Sequence, residues 1–281
     1  MDFEAYRAES RERWERAAPG WAARRSEMQQ AAAPVTMWMI DAIDPQPGQT
    51  VLELAAGLGD TGLMAAELVG PGGRLILTDG AAAMVDEARR NAVRLGASNV
   101  DARQMEAEWI DLPAASVDGV LCRWGYMLLA DPEAALRETR RVLRPGGRVA
   151  LSAWDAPERN PWMNALTTLL DARGLLTRSP PGAPGPFSFA RDGRIEELLG
   201  AAGFGDVTVA AVDFAFRADD VDAWWEHLVA TSPSLGETLR TLSPKDHYEL
   251  RDAFDAAYAP FAGDDGSLML PARTLVAVAT A

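Results

Sequence analysis

The sequence predicts an α/β fold in which helices cover a parallel sheet. Between residues 50 and 154, short apolar segments alternate with helical segments, which is the pattern of consecutive β-α-β units. Proline and glycine residues at 45–48, 71–73 and 145–147 separate these segments with firm breaks. The chain has 281 residues, of which 48% are hydrophobic, so it is long and apolar enough to form one large domain with a core.

Two helical segments are predicted ahead of the sheet. Residues 2–18 form a polar, charged segment, and Pro19 and Gly20 predict its end. A second helical segment covers residues 21–43, with a candidate kink at Pro34. The proline-rich break that follows predicts a firm stop before the first strand.

Five strands and three helices are predicted in the central region. The strands are residues 50–54, 74–78, 99–104, 117–122 and 149–154. The helices are a segment that ends at residue 69, residues 81–95 and residues 133–143. Helical connections of this length place successive strands parallel to each other in one sheet.

Beyond Trp154 the alternation of strands and helices loosens. Helices are predicted over residues 161–173, 192–202 and 219–262, a loop with four prolines over 178–190, and strands over 207–216 and 274–278. The last two strands can pair antiparallel to each other, so the helical segment between them is predicted to be an insertion.

Charge and rare residues exclude several classes of function. The net charge of −14 argues against a nucleic-acid partner and against an anionic membrane surface, because both need a basic face. With Cys122 as the single cysteine and His227 and His247 as the two histidines, a cysteine- or histidine-rich metal site is excluded, and no metal is predicted. Neither a secretory signal nor a run of 18 apolar residues is visible, which favours a cytoplasmic protein.

A glycine-rich turn follows the first predicted strand. Residues 57–62 spell G-x-G-x-x-G between a strand and a helix, and Asp79 follows 22 residues after Gly57, at the end of the next strand. The glycines let the backbone approach a ligand, and the acid can bind two ribose hydroxyls. This arrangement predicts a nucleotide-type ligand at the mouth of the sheet.

Two ligands compete for this turn. A dinucleotide would place its pyrophosphate on the helix N-terminus. Glu53, four residues before Gly57, would repel a pyrophosphate but would suit an ammonium group. S-adenosylmethionine carries an ammonium, a sulfonium and a ribose without phosphate, so the charge pattern favours it.

Several motifs in residues 50–154 resemble, in order, those of the class I S-adenosylmethionine-dependent methyltransferases, the broad group that includes the ubiquinone/menaquinone-biosynthesis enzymes. Residues 53–59 resemble the family's acidic-x-Gly-x-Gly-x-Gly loop, with Ala55 in place of the first glycine. The other matching segments are Asp79, residues 81–84, 105–108 and 116–120, and the Leu-x-Pro-Gly-Gly turn at 143–147. The ordered set is far more specific than any one motif.

The resemblance implies the fold, the cofactor and its ligands. It implies a Rossmann-like three-layer sandwich with a seven-stranded, mostly parallel sheet, whose last strand is antiparallel and inserted beside the fifth. It also implies that Asp79 binds the ribose, that Met84 lies against the adenine, and that an acid of residues 105–108 bonds the adenine amino group. The predicted cofactor-binding residues are Glu53, Ala55, Gly57, Gly59, Asp79, Gly80, Met84, Met105, Glu106, Ala107, Arg123 and Trp124.

The topology of open α/β sheets points independently to the same edge. Ligands bind beyond the carboxyl ends of the strands where the strand order reverses, which here selects residues 53–59, 79–84 and 122–127. Arg123 and Trp124 should therefore border the methyl group. Each also has a structural interpretation, Arg123 as an ion pair and Trp124 as wall packing.

Methyl transfer from a sulfonium depends mainly on proximity, alignment and exclusion of water. A general base is needed only when the acceptor must lose a proton. His227 and Tyr126 are the catalytic candidates, and His247 is the other candidate for a general base. Each of them also has a structural interpretation.

The leading hypothesis is methyl transfer from S-adenosylmethionine to a small-molecule acceptor through O, N or C, with S-adenosylhomocysteine as product. The alternatives are an NAD(P)-dependent oxidoreductase using the 57–62 loop, and a non-methylating enzyme or binding protein on the same scaffold. The predicted regions are 1–44 (helical cap over the site), 45–155 (cofactor-binding core), 156–218 (substrate-side helices, loop and strand), 219–265 (helical insertion or lid) and 266–281 (final strand). The insertion is either a lid or a dimer contact, so the oligomeric state, a homodimer included, stays open.

Overall fold

The computed structural model describes residues 2–176 and 183–281, and residues 178–182 of the predicted 178–190 loop lie outside these ranges. The strands are β1 (Thr50–Glu53), β2 (Arg74–Asp79), β3 (Val100–Gln104), β4 (Val117–Arg123), β5 (Leu143–Trp154), β6 (Gly205–Ala218) and β7 (Leu268–Thr280). The helices are α1 (Phe3–Ala23), α2 (Arg25–Ile43), α3 (Asp60–Val69), α4 (Ala82–Arg94), α5 (Pro132–Val142), α6 (Pro161–Ala172), α7 (Arg194–Ala201), α8 (Val221–Thr231), α9 (Pro233–Thr241) and α10 (Pro244–Tyr258). No helix in the described ranges combines the length and the apolar character that a bilayer crossing requires.

In the described part of the chain, seven strands form one sheet in the order β3-β2-β1-β4-β5-β7-β6. The β1, β2, β3, β4 and β5 strands run parallel, whereas β7 is antiparallel to both β5 and β6. The predicted seven-stranded sheet, with its last strand antiparallel and beside the fifth, is thereby confirmed. The strand order reverses between β1 and β4, so the carboxyl ends of these two strands frame a ligand crevice.

The centre of the sheet is apolar on both faces because helices cover both sides. Val51, Leu52, Leu75 and Leu77 on β1 and β2 are fully buried. In contrast, no residue of β3 is fully buried, because this strand lies at the edge of the sheet. The same edge position explains why its sequence signal is weak.

The first helix does not end where the sequence predicts. Instead, α1 continues through Pro19 and Gly20 to Ala23. A Cβ at Gly20 would lie 1.8 Å from the Ala230 carbonyl oxygen on α8, so this glycine allows two helices to approach closely and does not form a turn. Pro34 likewise lies inside α2 without ending it.

The predicted insertion is confirmed as three helices, α8, α9 and α10, between β6 and β7. These two strands pair antiparallel from Thr208↔Val278 to Ala218↔Leu268. The fifth strand starts at Leu143, earlier than predicted, because Leu143 pairs with Val117 before the register shifts at the glycine-containing turn.

The α1 helix lies across the carboxyl edge of the sheet. Its Ala17 and Ala18 pack against Leu58, Ala81 and Met84, which belong to the loop after β1 and to the start of α4. The helix also contacts α8 and α9. It therefore links the loop after β1 with the inserted helices.

Candidate active site

The loop after β1 takes a backbone shape that favours glycine. Ala55, Gly57 and Gly59 have φ angles of 48°, 55° and 81°. A non-glycine residue in this left-handed region costs roughly 1–2 kcal/mol, so Ala55 holds a strained position. Gly59 has a second constraint, since a Cβ there would lie 2.5 Å from the Leu77 side chain.

The carboxylate of Glu53 occupies the N-terminal turn of α3. The Gly62 N–H donates to Glu53 Oε2 at 2.9 Å, and a Cβ at Gly62 would lie 2.4 Å from that oxygen. Burial raises the pKa of Glu53 to about 8, although the Arg123 charge and the Gly62 N–H act in the opposite direction. The position where a pyrophosphate would bind a helix N-terminus therefore already holds an acid.

Asp79 is oriented by two backbone donors. The Gly57 N–H donates to Oδ2 and the Ala81 N–H to Oδ1, each at 2.9 Å. Burial raises its pKa to about 6 against the effect of these two hydrogen bonds. The side chain thus joins the loop after β1 to the entry of α4, with its orientation fixed before any ligand arrives.

The residues predicted to surround the adenine lie next to Asp79. The Met105 N–H donates to the Asp79 carbonyl at 3.0 Å. Glu106 Oε2 would lie 3.1 Å from a Cβ on Gly80, so this glycine gives the Glu106 carboxylate room. Met84 and Ala107 are buried, and Met84 packs in one cluster with Ala17 and Ala18 of α1.

Of the two acids after β3, Glu108 has its hydrogen-bonding capacity taken up. Its carboxylate receives both Arg7 Nε at 3.0 Å and Arg7 Nη2 at 3.2 Å, together with the Asp131 N–H at 2.8 Å. Glu106 receives Arg11 Nη2 at 2.6 Å on one oxygen and keeps the other oxygen toward Gly80. The geometry favours Glu106 as the acid that faces a ligand.

Sequence reasoning missed the polar contribution of α1. Glu15 accepts from the N–H groups of Ala82 and Ala83 at 2.6 and 2.9 Å, so it caps α4 from another helix. The sequence does contain an indication of this contact. Residues 80–83 have no side chain that could cap α4, so a capping group has to come from another part of the chain.

Arg123 and Arg25 form a second polar group beside Glu53. Arg123 Nε donates to Thr61 Oγ1 at 2.8 Å, and burial lowers its pKa. Arg25 Nη2 lies 2.6 Å from Asp60 Oδ1, at the start of α3. No local pattern predicts Arg25, because it reaches Asp60 across 35 positions of the chain.

Six aromatic side chains continue from this group, and we call them the aromatic wall: Trp124, Trp154, Trp162, Phe214, Phe216 and Trp224. The Arg123 guanidinium lies 4.7 Å from the Trp124 ring, which stacks on Trp154 at 4.3 Å. Trp162 follows at 5.0 Å from Trp154. Phe216 lies 4.6 Å from Trp162 and 5.8 Å from Trp224.

Trp124 is held firmly within the aromatic wall. Its indole N–H donates to Thr274 Oγ1 at 2.9 Å, and its φ is 57°, a strained value for a large residue. The ring is therefore fixed in place by β7, between the Arg123 guanidinium and the Trp154 ring that it contacts.

The two catalytic candidates lie in different surroundings. His227 is 4% exposed, stacks on Trp224 at 4.9 Å, and has Nδ1 at 2.9 Å from Glu27 Oε2. Tyr126 is fully buried, and its hydroxyl bonds to Thr139 Oγ1 on α5 at 2.6 Å. Burial also raises the Tyr126 pKa well above its usual value, and a catalytic role for this residue stays a prediction.

Comparison with known proteins agrees with this geometry. The sequence model of a methyltransferase domain family matches residues 51–147. Nocamycin O-methyltransferase from Saccharothrix syringae is 30% identical over 199 residues, which are 68% of this chain and 71% of that protein. The chain belongs to the class I S-adenosylmethionine-dependent methyltransferases.

Other methyltransferases match a smaller share of the chain. The ubiquinone/menaquinone biosynthesis C-methyltransferase UbiE from Hahella chejuensis is 36% identical over 119 residues, 42% of this chain and 48% of that protein. The chain thus spans about half the length of that relative. Both matches are to methyltransferases, and with the acid at the start of α3 they leave the NAD(P)-dependent oxidoreductase without support.

The same fold is found in an enzyme that is named as a cyclase. The structure of the [4+2]-cyclase SpnF has a TM-score of 0.54 at 17% identity and covers 90% of this chain and 82% of its own. A likeness at this level shows the fold alone. Family membership, and not the fold, therefore assigns S-adenosylmethionine as the cofactor of this methyltransferase.

Proposed function

We propose that this methyltransferase acts on a planar, partly apolar small molecule held against the aromatic wall. The observation that carries the proposal is the unbroken series of rings from Trp124, beside the β4 carboxyl end, to Trp224 on α8. Flat, polarisable ring faces favour flat ligands. The net charge of −14 disfavours a nucleic-acid acceptor.

The residues at the sheet edge fit the cofactor. We assign Asp79 to the ribose hydroxyls, Glu106 to the adenine amino group and Met84 to the adenine face. The side chains that face the ligand include the acids Glu53, Asp79 and Glu106, which suits a ligand that carries an ammonium and a sulfonium. Glu53 also occupies the start of α3, where the phosphate of a dinucleotide would have to bind. When bound, the cofactor supplies an activated methyl group on a sulfonium.

The amino-acid end of the cofactor would meet Glu53 and Arg123. Glu53 offers a buried carboxylate for the ammonium, and Arg123 offers a guanidinium for the carboxylate. Arg25 forms an ion pair with Asp60, the first residue of α3, and this pair holds the start of that helix in place. These side chains bind and orient, while the buried wall excludes water from the reacting atoms.

The proposal is tested with labelled methyl transfer. Purified protein and methyl-labelled S-adenosylmethionine are incubated with matched panels of planar phenols and enols and of non-planar alcohols. We expect labelled product from planar acceptors, and Trp162→Ala should lower kcat/KM by about tenfold or more while S-adenosylhomocysteine affinity stays unchanged. The control is Tyr248→Ala, which removes an aromatic ring that is 73% exposed.

Two outcomes would contradict the proposal. Equal turnover by Trp162→Ala would show that the aromatic wall does not hold the acceptor. Firm S-adenosylhomocysteine binding without transfer to any acceptor would instead favour a non-methylating enzyme on the same scaffold.

A further inference from the structure

One buried amide side chain joins the start of α6 to β7. Asn160 is fully buried, and its Nδ2 donates to the carbonyls of Asp155 and Arg273 at 2.9 and 3.0 Å. Its Oδ1 accepts from the Arg273 N–H at 3.0 Å and from the Trp162 indole N–H at 3.2 Å. An amide has two N–H donors and two lone pairs, so these contacts use its whole capacity and allow one orientation of the group.

The two bonds to Arg273 extend the sheet beyond the end of β5. The last residue of β5, Trp154, pairs with Thr274, so Arg273, which precedes Thr274 in β7, has no strand residue opposite it on this side. The Asn160 side chain offers Arg273 one donor and one acceptor, as a neighbouring strand would. The amide is therefore held by the backbone of β7, which makes it a fixed point for the indole that it also binds.

Asn160 does not take the role that asparagine usually has at its position. It is the N-cap residue of α6, where an asparagine side chain normally accepts an N–H of the first turn, but its side chain forms no capping bond. Pro161 begins the helix with its restricted φ, and it is the single residue between Asn160 and Trp162. An amide that could cap its own helix is thus committed to β7 and to the indole.

Trp162 contacts three other rings of the aromatic wall and keeps part of its surface open. It lies 5.0 Å from Trp154, 4.6 Å from Phe216 and 6.3 Å from Trp224. Those three rings are buried, whereas Trp162 is only partly buried. Packing against rings leaves an indole more than one rotation about its outer side-chain bond. The bond from its one N–H to the fixed amide of Asn160 selects among them.

We propose that Asn160 is a positioning residue for methyl transfer. It holds the Trp162 indole in the orientation that presents a flat face to the acceptor, and it thereby makes the enzyme prefer planar over non-planar acceptors. Asn160 acts only through this ring, because its own donors and acceptors are already bound within the protein. This inference rests on the proposed function, since the preference concerns an acceptor held against the aromatic wall.

The first experiment measures how fast indole N–H groups exchange with solvent, and it needs no acceptor. Among the nine tryptophans, Trp162→Phe and Trp124→Phe identify two indole signals in ¹H–¹⁵N spectra. In Asn160→Ala, the Trp162 N–H should exchange about tenfold faster or more, because its hydrogen-bond acceptor is gone. The Trp124 N–H donates to Thr274, the neighbour of Arg273 in β7, so it reports whether the strand itself has loosened.

The two signals distinguish positioning from a purely structural role. Faster exchange of the Trp162 N–H with an unchanged Trp124 N–H supports the proposal. Unchanged exchange of the Trp162 N–H in Asn160→Ala would overturn it. Equally accelerated exchange of both groups would also overturn it, because Asn160 would then only maintain β7.

The second experiment compares planar and non-planar acceptors in a double-mutant cycle. Trp162→Phe keeps a ring, loses the N–H and leaves the bonds between Asn160 and Arg273 in place, so it tests the same contact even if Asn160→Ala does not fold. Each single variant should lower the ratio of kcat/KM for planar over non-planar acceptors by about tenfold, at unchanged S-adenosylhomocysteine affinity. The double variant should lose no more, because both changes remove one bond. Asn164→Ala, the matched control, changes another asparagine of α6 and should keep the ratio.

The outcomes separate this inference from the proposed function. If both single variants methylate planar acceptors with the original preference, the positioning role is wrong and the aromatic wall remains the proposed acceptor site. Losses that add up in the double variant would also overturn the inference, because Asn160 would then act by a route other than Trp162. If the unmodified protein methylates no acceptor, the proposed function fails, and the exchange experiment alone decides whether Asn160 orients Trp162.

Discussion

The cofactor edge, by which we mean Glu53, Asp79 and the loop after β1, is organised in the opposite way to the aromatic wall. At the cofactor edge, carboxylates of Glu53 and Asp79 accept backbone N–H groups from residues close in the fold motif, at 2.9 Å each. In the aromatic wall, Trp124, which follows β4, and rings from β5, α6, β6 and α8 touch each other across long stretches of chain. The first region fixes atoms through hydrogen bonds, and the second fixes a surface through packing.

This difference predicts where each kind of substitution acts. Changes at the cofactor edge should lower ligand affinity, and they should also cost some stability because Glu53 and Asp79 accept backbone N–H groups of the protein itself. Changes where helices pack beside the aromatic wall should alter stability first. The following predictions test this division, from the largest expected effect to the smallest.

Asp79→Ala should weaken S-adenosylhomocysteine binding about 100-fold, or about 3 kcal/mol, since hydrogen bonds to a charged group contribute about 1.5–3 kcal/mol each. Isothermal titration calorimetry measures the change. Asp86→Ala is the matched control, because it removes an exposed aspartate of α4 that pairs with Arg89. Unchanged affinity in Asp79→Ala would show that the ribose assignment is wrong.

Gly20→Ala should lower the free energy of unfolding by about 2–3 kcal/mol, because the added Cβ would lie 1.8 Å from the Ala230 carbonyl and would push α1 from α8. In contrast, Gly200→Ala on α7 meets open space and should raise stability by about 0.5–1 kcal/mol. Urea unfolding compares the two variants. Equal effects would mean that α1 and α8 do not pack as described.

The pH dependence of S-adenosylhomocysteine binding should follow Glu53. Its folded pKa of about 8 lies above the unfolded value, so this group stabilises the ligand-free protein less as pH rises from about 4 to about 8. Binding an ammonium needs the carboxylate, so affinity should increase from about pH 6 to about pH 8, by up to about tenfold per unit. Calorimetry at both values measures this trend, and Glu53→Gln should flatten it. Affinity that weakens as pH rises over this range would place the ammonium elsewhere.

Ala55→Gly should have the smallest effect. Glycine relieves the strain of a φ of 48°, which stabilises the folded protein, but it also makes the unfolded chain more flexible, which lowers stability. Because the two effects oppose each other, we expect a net change below about 1 kcal/mol in the free energy of unfolding. Thermal unfolding detects it. A large loss of stability would mean that the alanine methyl group has a packing role which outweighs the strain.

The sequence predicts the cofactor edge well because its signals are local. The spacing from Glu53 to Gly62 and on to Asp79 contains both partners of these two hydrogen bonds, and the parallel direction of the first five strands follows from their helical connections. The break predicted at Pro19 and Gly20 is wrong for the opposite reason. A glycine that turns the chain and a glycine that admits a neighbouring helix have the same letter, and only the position of α8 distinguishes them.

The contacts around the aromatic wall and His227 join residues that are far apart in the sequence, so no local spacing of residues predicts them. Glu27 meets His227 across 200 positions, and Trp124 meets Thr274 across 150. The sequence could nominate His227 because histidine is rare in this chain, but it offered no reason to pair it with Glu27. Such pairs become visible only when the helices have been placed in space.

The antiparallel β7 strand also affects the order in which the protein can be assembled during translation. In the sheet, β6 reaches β5 only through β7, which follows it in the chain after three helices. Until residues 268–280 leave the ribosome, β5 keeps an open edge and β6 has no strand to join. A nascent chain that is interrupted before Leu268 therefore exposes two sheet edges at once, which makes it a natural target for chaperones and proteases.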